Sequence, residues 1–99
     1  MMSDKKNYYW IKKDEHTTRI GLTKEAQDTL GDVKYVELPD LDSDVKKGES
    51  SGEIEAQKAV VELESPVSGK IVKVNDKLND NPELLNGTEK DAWFFEVNN

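Results

Sequence analysis

The 99-residue sequence has no cysteine and a single histidine. Without thiols the chain can form neither disulfides nor thiolate metal sites, and it has no cysteine nucleophile. The one histidine, His16, has no second histidine near it, which favours a surface turn residue over a metal ligand or a general base. We therefore predict no metal site and no catalytic residue, and any sulfur redox chemistry must come from a cofactor.

An excess of basic residues and a long apolar run are also missing. The formal net charge of −7 disfavours a nucleic-acid partner, because a phosphate backbone is bound by clustered lysine and arginine. No segment approaches the ~18 apolar residues of a membrane span, and the polar residues 1–7 lack the apolar stretch of a secretory signal. These absences predict a soluble, cytoplasmic protein without a membrane or nucleic-acid partner, in which residues 1–7 are disordered.

Short runs of β-branched and aromatic residues, separated by turn residues, make up most of what is present. Apolar residues account for 34% of the chain and charged residues for 35%, which suits short strands with one apolar face better than a large helical bundle. Strands are predicted at residues 8–13, 17–22, 33–38, 53–56, 60–64, 70–75 and 93–97, with a brief strand contact near Val45. We predict one monomeric, mostly β domain over residues 1–99, a small β-sandwich or flattened barrel with one or two helices added.

A short helix is predicted over residues 23–31. Thr23 can accept a hydrogen bond from a first-turn amide as the N-cap, and Gly31 can adopt the left-handed conformation that ends a helix. Ala26 and Leu30, four residues apart, form a narrow buried stripe. The residues expected to face outward from this helix are Gln27 and Asp28.

A single helical turn is predicted over residues 81–87. We expect Asn81 to cap it, and Pro82 to occupy the first helical position, where its missing N–H costs nothing. Gly87 is expected to end the turn. The sequence thus supplies two short helices between its strands.

Residues 52–66 are predicted to form two short strands that meet at a tight turn, with Lys58 at the tip. On the incoming strand Ile54 and Ala56 alternate with acidic residues, so the apolar set anchors the hairpin in the core. Small alanines on either side of the tip leave the lysine unshielded. Spacing alone favours an ordinary solvated lysine over a modified one.

Four glutamates occupy the polar side of this hairpin. They are Glu53, Glu55, Glu62 and Glu64. They form either a docking face for basic partners or a solvated edge that discourages pairing with other strands. Their spacing does not choose between the two.

From Ile20 to Val97 the chain resembles the H protein of the glycine cleavage system. The similar blocks follow family order and spacing: Gly21-Leu22-Thr23, Ala26-Gln27, Leu30-Gly31-Asp32-Val33, Tyr35-Val36-Glu37-Leu38-Pro39, Val45-Lys46-Lys47-Gly48, Lys58-Ala59, Ser65-Pro66-Val67-Ser68-Gly69, Val72, Val74-Asn75, Asn81-Pro82-Glu83-Leu84-Leu85-Asn86 and Trp93. The resemblance implies the hybrid lipoyl/biotinyl-carrier fold (barrel-sandwich hybrid) of two small antiparallel sheets. It also implies lipoate in amide linkage on Lys58, whereas biotin carriers usually have methionines beside their lysine.

The same resemblance implies a non-catalytic carrier and its partners. A lipoate ligase or lipoyltransferase would load Lys58. The carrier would then take an aminomethyl group from glycine decarboxylase to the aminomethyltransferase, and dihydrolipoyl dehydrogenase would reoxidise it. The cofactor supplies the chemistry, and the protein supplies position and recognition.

Three departures from the family pattern favour an alternative. Tyr8-Tyr9-Trp10 replaces the usual His-Glu-Trp, Glu55-Ala56-Gln57 replaces Glu-Ser-Val, and the sequence stops at Asn99 without the usual C-terminal helical segment. These features resemble an H-like subgroup linked to a sirtuin-type ADP-ribosyltransferase and a macrodomain hydrolase. Membership in that subgroup implies that Asp28 accepts ADP-ribose, although an exposed helix aspartate is the commoner situation.

Three function classes therefore stand side by side. Glycine cleavage is the leading hypothesis, because most of the similar blocks follow ordinary H proteins. The second is a carrier modified reversibly by ADP-ribose. The third is an unmodified interaction module that kept the fold without the chemistry.

Overall fold

The computed structural model describes residues 8–98, so the prediction for residues 1–7 lies outside the described residues. Its elements in chain order are β1 (Tyr9–Lys13), β2 (Thr17–Leu22), α1 (Lys24–Leu30), β3 (Val33–Glu37), β4 (Asp44–Val45), β5 (Ser50–Ala56), β6 (Val60–Glu64), β7 (Gly69–Val74), two 3-10 helices (Asp76–Asn79 and Pro82–Asn86) and β8 (Trp93–Asn98). The predicted mostly β fold is confirmed. No helix within residues 8–98 combines the length and the apolar character needed to cross a membrane.

Two antiparallel sheets carry the fold. The five-stranded sheet has the order β1-β2-β8-β7-β4, and the three-stranded sheet has the order β3-β5-β6. β8 pairs with both β2 and β7, which places the last strand at the centre of the larger sheet. The brief strand predicted near Val45 is present as β4, paired with β7.

One apolar cluster joins the inner faces of both sheets. Ile20 and Phe95 contribute from the larger sheet, and Ile54 and Leu63 from the smaller one, all fully buried. Alternation along each strand places these residues inward and their polar neighbours outward. On β7 the buried residue is Ile71, which settles an alternation that the sequence leaves ambiguous.

Helix α1 has the predicted ends. The Thr23 hydroxyl accepts a hydrogen bond from the Ala26 N–H at 3.1 Å, and Gly31 follows the last turn with φ of 79°. The prediction that Gln27 faces outward is wrong: Gln27 is buried, and its Nε2 donates to the Gly87 carbonyl at 3.3 Å. The physical reason is that the second 3-10 helix packs beside α1 and offers a carbonyl to this amide.

The second 3-10 helix begins differently from the prediction. Pro82 occupies its first turn as expected, but Asn81 makes no side-chain cap. Instead the Asn81 backbone carbonyl accepts from the Leu84 N–H at 3.1 Å, because a 3-10 helix closes its first turn with an i→i+3 bond. Gly87 ends the helix with φ of −94°, a conformation open to any residue.

The outer face of the five-stranded sheet is closed by its own side chains. An added Cβ on Gly21 would lie 2.1 Å from two atoms of the Trp10 ring, so the indole rests directly on this glycine. The Arg19 Nη2 lies 2.6 Å from a Glu96 carboxylate oxygen, and the guanidinium lies 4.3 Å from the centre of the Trp93 ring. Within the described residues, the Trp10 Nε1 is the one buried side-chain polar atom without a hydrogen-bond partner.

Candidate functional site

The turn between β5 and β6 presents Lys58 to solvent. The Ala56 N–H donates to the Ala59 carbonyl at 2.9 Å and closes the turn. Gln57 and Lys58 lie beyond this bond, and both side chains are exposed. The predicted hairpin with a lysine at its tip is therefore the observed structure.

The C-terminal end of α1 holds this tip by its backbone. The Lys58 N–H donates to the Leu30 carbonyl at 2.9 Å, and the Gln57 N–H donates to the Asp32 carbonyl at 2.8 Å. Carbonyls at the end of a helix have no intrahelical partner, so the hairpin satisfies one of them. The main chain of Lys58 is thus fixed, while its side chain is exposed to solvent.

The Lys58 ammonium also lies at this helix end. Its Nζ is 3.4 Å from the Asp28 carbonyl oxygen, and a cation near a helix C-terminus interacts favourably with the helix dipole. An acylated Nζ would keep one N–H for the same carbonyl. The position therefore offers a hydrogen-bond acceptor both to the amine and to its amide.

Gly31 allows the helix end and the hairpin tip to fit together. Its φ of 79° is left-handed, and an added Cβ would lie 3.0 Å from Oε1 and 3.1 Å from Cβ of Gln57. The sequence predicts Gly31 as a helix end. Its second role, as the contact surface of a turn 26 residues later, carries no local sequence signal.

The acidic residues that the sequence suggests as candidate site residues lie in two places. The side chain of Asp28 is exposed on α1, and the backbone carbonyl of the same residue faces Lys58 Nζ. On the hairpin, Glu53, Glu55 and Glu62 are exposed, whereas Glu64 is half-buried at the far end of β6, opposite Ser50. The structure therefore separates Glu64 from the carboxylates near the tip.

β3 adds residues to this surface that sequence reasoning missed. Tyr35 pairs with Glu55, and Glu37 pairs with Glu53. Alternation around Val36 marks both side chains as outward-facing, but no local pattern tells which strand lies beside β3. Only the register of the sheet brings them to the hairpin.

Tyr9 is one of the residues at which the sequence departs from the family that it resembles. Its hydroxyl donates to the Glu62 carbonyl at 3.3 Å and accepts from the Glu64 N–H at 3.2 Å. Burial raises the pKa of Tyr9 to about 12. The residue thus ties β1 to the edge strand β6.

Within residues 8–98, no group of three or more histidine, aspartate or glutamate side chains is arranged to hold a metal ion. His16 is exposed in the turn between β1 and β2, where the sequence predicted it. The chemistry available at the tip is therefore that of a presented primary amine, which can accept an acyl group and carry it as an amide.

Comparison with known proteins gives a consistent result. The glycine cleavage H-protein family profile matches residues 2–99. Glycine cleavage system H proteins of Thermotoga maritima and Staphylococcus haemolyticus are 43% and 42% identical over 93 residues, which is 93% of this chain and 75% and 74% of theirs.

A solved structure agrees with these sequence relatives. The crystal structure of a glycine cleavage system H protein from Mycobacterium marinum matches with a TM-score of 0.84 and 34% identity, covering 92% of this chain and 77% of that one. The predicted hybrid carrier fold and the resemblance stated above are both confirmed. The chain belongs to the glycine cleavage H-protein family, which implies a lipoyl-carrier role.

Proposed function

We propose that Lys58 carries a lipoyl group in amide linkage. The observation that supports this best is the tip itself: a fully presented lysine whose backbone N–H is bonded to the end of α1. A swinging arm needs a fixed base and a free end, and this geometry supplies both. Small Ala59 beside it leaves room for the enzyme that attaches the group.

The loaded protein acts as a carrier rather than a catalyst. It takes an aminomethyl group from glycine decarboxylase to the aminomethyltransferase and is reoxidised by dihydrolipoyl dehydrogenase, all in the cytoplasm. A bound lipoyl group supplies a disulfide–dithiol couple, which this cysteine-free chain lacks. The protein contributes the position of Nζ and the surface that partner enzymes recognise.

ADP-ribosylation of Asp28 stays a second, separate prediction. Its side chain is exposed on α1 beside the arm, which makes it accessible to a modifying enzyme. The relatives named above are all glycine cleavage system H proteins, and they give this alternative no support. Glycine cleavage is therefore the proposed function.

Intact mass spectrometry tests the attachment directly. The chain is incubated with lipoate, ATP and a lipoate ligase, and we expect one lipoyl increment in the wild type. Lys58→Arg should abolish it, whereas Lys70→Arg, which changes another exposed lysine, should leave it intact. An absent increment, or one that survives Lys58→Arg, would reject the assignment and favour an unmodified interaction module.

Reconstitution with partner enzymes tests the carrier role. The lipoylated chain is mixed with glycine decarboxylase, the aminomethyltransferase and the dehydrogenase, and glycine decarboxylation is followed alongside an authentic H protein. We expect turnover that depends on lipoylation. Full lipoylation without turnover, while the authentic H protein is active, would rule out glycine cleavage and leave the lipoyl-carrier assignment standing.

A further inference from the structure

The outer face of the three-stranded sheet forms a grid of six side chains beside Lys58, which we call the acidic face. Its members are, in the row nearest the tip, Tyr35, Glu55 and Val60, and in the next row Glu37, Glu53 and Glu62. All six are exposed. Tyr35 and Val60, at 53% and 59% exposure, are among the most exposed large apolar residues of the described chain.

Like charges oppose one another in the second row. Glu53 is the direct partner of Glu37 on one side and of Glu62 on the other, an arrangement that destabilises a sheet. None of the ion pairs found among residues 8–98 includes these three carboxylates. The free protein therefore carries a negative row that a cationic surface would neutralise.

Lys58 and the acidic face lie too close together to be contacted separately. Val60 follows Lys58 by two residues, and Glu55 precedes it by three. With ~3.3 Å per residue and ~4.8 Å between strands, the grid measures about 7 by 10 Å. A standard protein interface covers about 800 Å² on each partner, so an enzyme centred on Lys58 covers the whole grid.

The enzyme that acylates Lys58 has the strictest need for this contact. A bare lysine reaches a partner only by its four-carbon stem, whereas a loaded arm reaches further. The acylating enzyme must therefore press its surface against the residues around the tip. Whatever that surface presents has to match two exposed apolar side chains and a row of carboxylates.

We infer that the acidic face is the docking surface for the enzyme that acylates Lys58, and that this enzyme presents lysine and arginine side chains beside an apolar recess for Tyr35 and Val60. This inference rests on the proposed function. Opposite charges speed the encounter and fix its orientation, and a buried aromatic or aliphatic anchor supplies affinity. The five-stranded sheet offers no equivalent, because its Glu96 already pairs with Arg19.

A charge-matched pair of variants tests the carboxylates. One variant combines Glu37→Gln, Glu53→Gln and Glu62→Gln, and the control combines Glu15→Gln, Glu83→Gln and Glu89→Gln, three exposed acids outside the acidic face. Both lose three negative charges, so local docking is separated from net charge. We measure kcat/KM for lipoylation of Lys58 by intact mass at several ionic strengths.

We expect the acidic-face variant to lose about tenfold in kcat/KM, with a flatter salt dependence. Its melting temperature should equal or exceed that of the wild type, because like charges have been removed. The control should keep both the wild-type rate and its salt dependence. The inference would be overturned if kcat/KM of the acidic-face variant rose while its stability stayed unchanged, or if both variants lost the same factor in kcat/KM.

Val60→Ala and Val72→Ala test the apolar part with the same chemical change. Val72 is exposed on β7 of the other sheet. We expect Val60→Ala to lower kcat/KM about fivefold and Val72→Ala to have no effect. If the wild type is lipoylated at Lys58 and all acidic-face variants react at the wild-type rate, the docking surface is refuted and the proposed function stands. If the wild type is not lipoylated, the proposed function is refuted as well.

Discussion

The outer faces of the two sheets differ in the contacts that their side chains make. On the five-stranded sheet, charged and aromatic side chains contact one another within the molecule: Arg19 bonds to Glu96 and covers Trp93, and Trp10 rests on Gly21. On the three-stranded sheet, carboxylates face carboxylates across neighbouring strands, and apolar side chains are exposed beside them.

This difference contrasts a face that stabilises the free molecule with a face suited to binding a partner. Side chains that satisfy one another stabilise the free molecule, whereas unsatisfied ones gain most when a partner arrives. The unsatisfied face lies beside Lys58, which the structure presents on a two-residue tip. Under the docking proposal above, the outer face of the three-stranded sheet is the one that serves recognition.

The largest effect is expected from a substitution that disrupts the contact between Trp10 and Gly21 on the outer face of the five-stranded sheet. Gly21→Ala places a methyl group where the Trp10 ring and the Ala92 carbonyl already lie, at 2.1 Å and 2.4 Å. We expect the free energy of unfolding to fall by about 3 kcal/mol, measured by urea denaturation.

A second glycine provides the control for this prediction. Gly48 has a left-handed φ of 84° and nothing within 4 Å of an added Cβ. Gly48→Ala should therefore lose only about 1–2 kcal/mol from backbone strain. Equal losses at both positions would show that the contact between Trp10 and Gly21 contributes nothing.

A smaller effect is expected where α1 meets the hairpin tip. Gly31→Ala introduces strain at φ of 79° and pushes on Gln57. We expect about 2 kcal/mol of lost stability and slower lipoylation of Lys58, measured by denaturation and by intact mass. Stability loss with an unchanged lipoylation rate would mean that the helix does not position the tip for acylation.

The smallest effect concerns the bond between the two sheets through Tyr9. Burial raises the Tyr9 pKa from 10.0 to about 12, so below pH ~10 the hydroxyl is neutral in both folded and unfolded chains. Between pH ~10 and ~12 only the unfolded chain ionises, and stability is lost as the pH rises. We expect this loss to reach about 1.4 kcal/mol at pH ~11.

Tyr9→Phe is the matched test, since it removes the titrating group and keeps the ring. Its free energy of unfolding should be flatter over this pH range than that of the wild type, whereas Tyr35→Phe should keep the wild-type decline. A decline in Tyr9→Phe as steep as in the wild type would assign the pH dependence to other groups.

Local patterns in the sequence predicted most of the fold. Thr23 and Gly31 fix the ends of α1, and alternation on the hairpin correctly separates buried Ile54 from exposed Glu53 and Glu55. The exposed tip at Lys58 follows from the same alternation. These features depend on neighbours within a few residues, where helix and strand periodicity carry the information.

The features of the candidate site that local patterns did not predict depend on contacts between distant parts of the chain. Gln27 is buried beside Gly87, to whose carbonyl it donates, and the Lys58 backbone N–H donates to the carbonyl of Leu30. Glu37 meets Glu53 only through the register of β3 and β5. Periodicity tells which face of an element is apolar, but it does not tell which other element packs against it.

The sequence by itself therefore determined that a lysine stands at the tip of a β-hairpin within an H-protein-like domain. Only the tertiary structure decided that a helix end fixes this tip and that opposed carboxylates surround it. The physical reason is that side-chain alternation is a local property, whereas strand order and register are set by how all the apolar faces share one core.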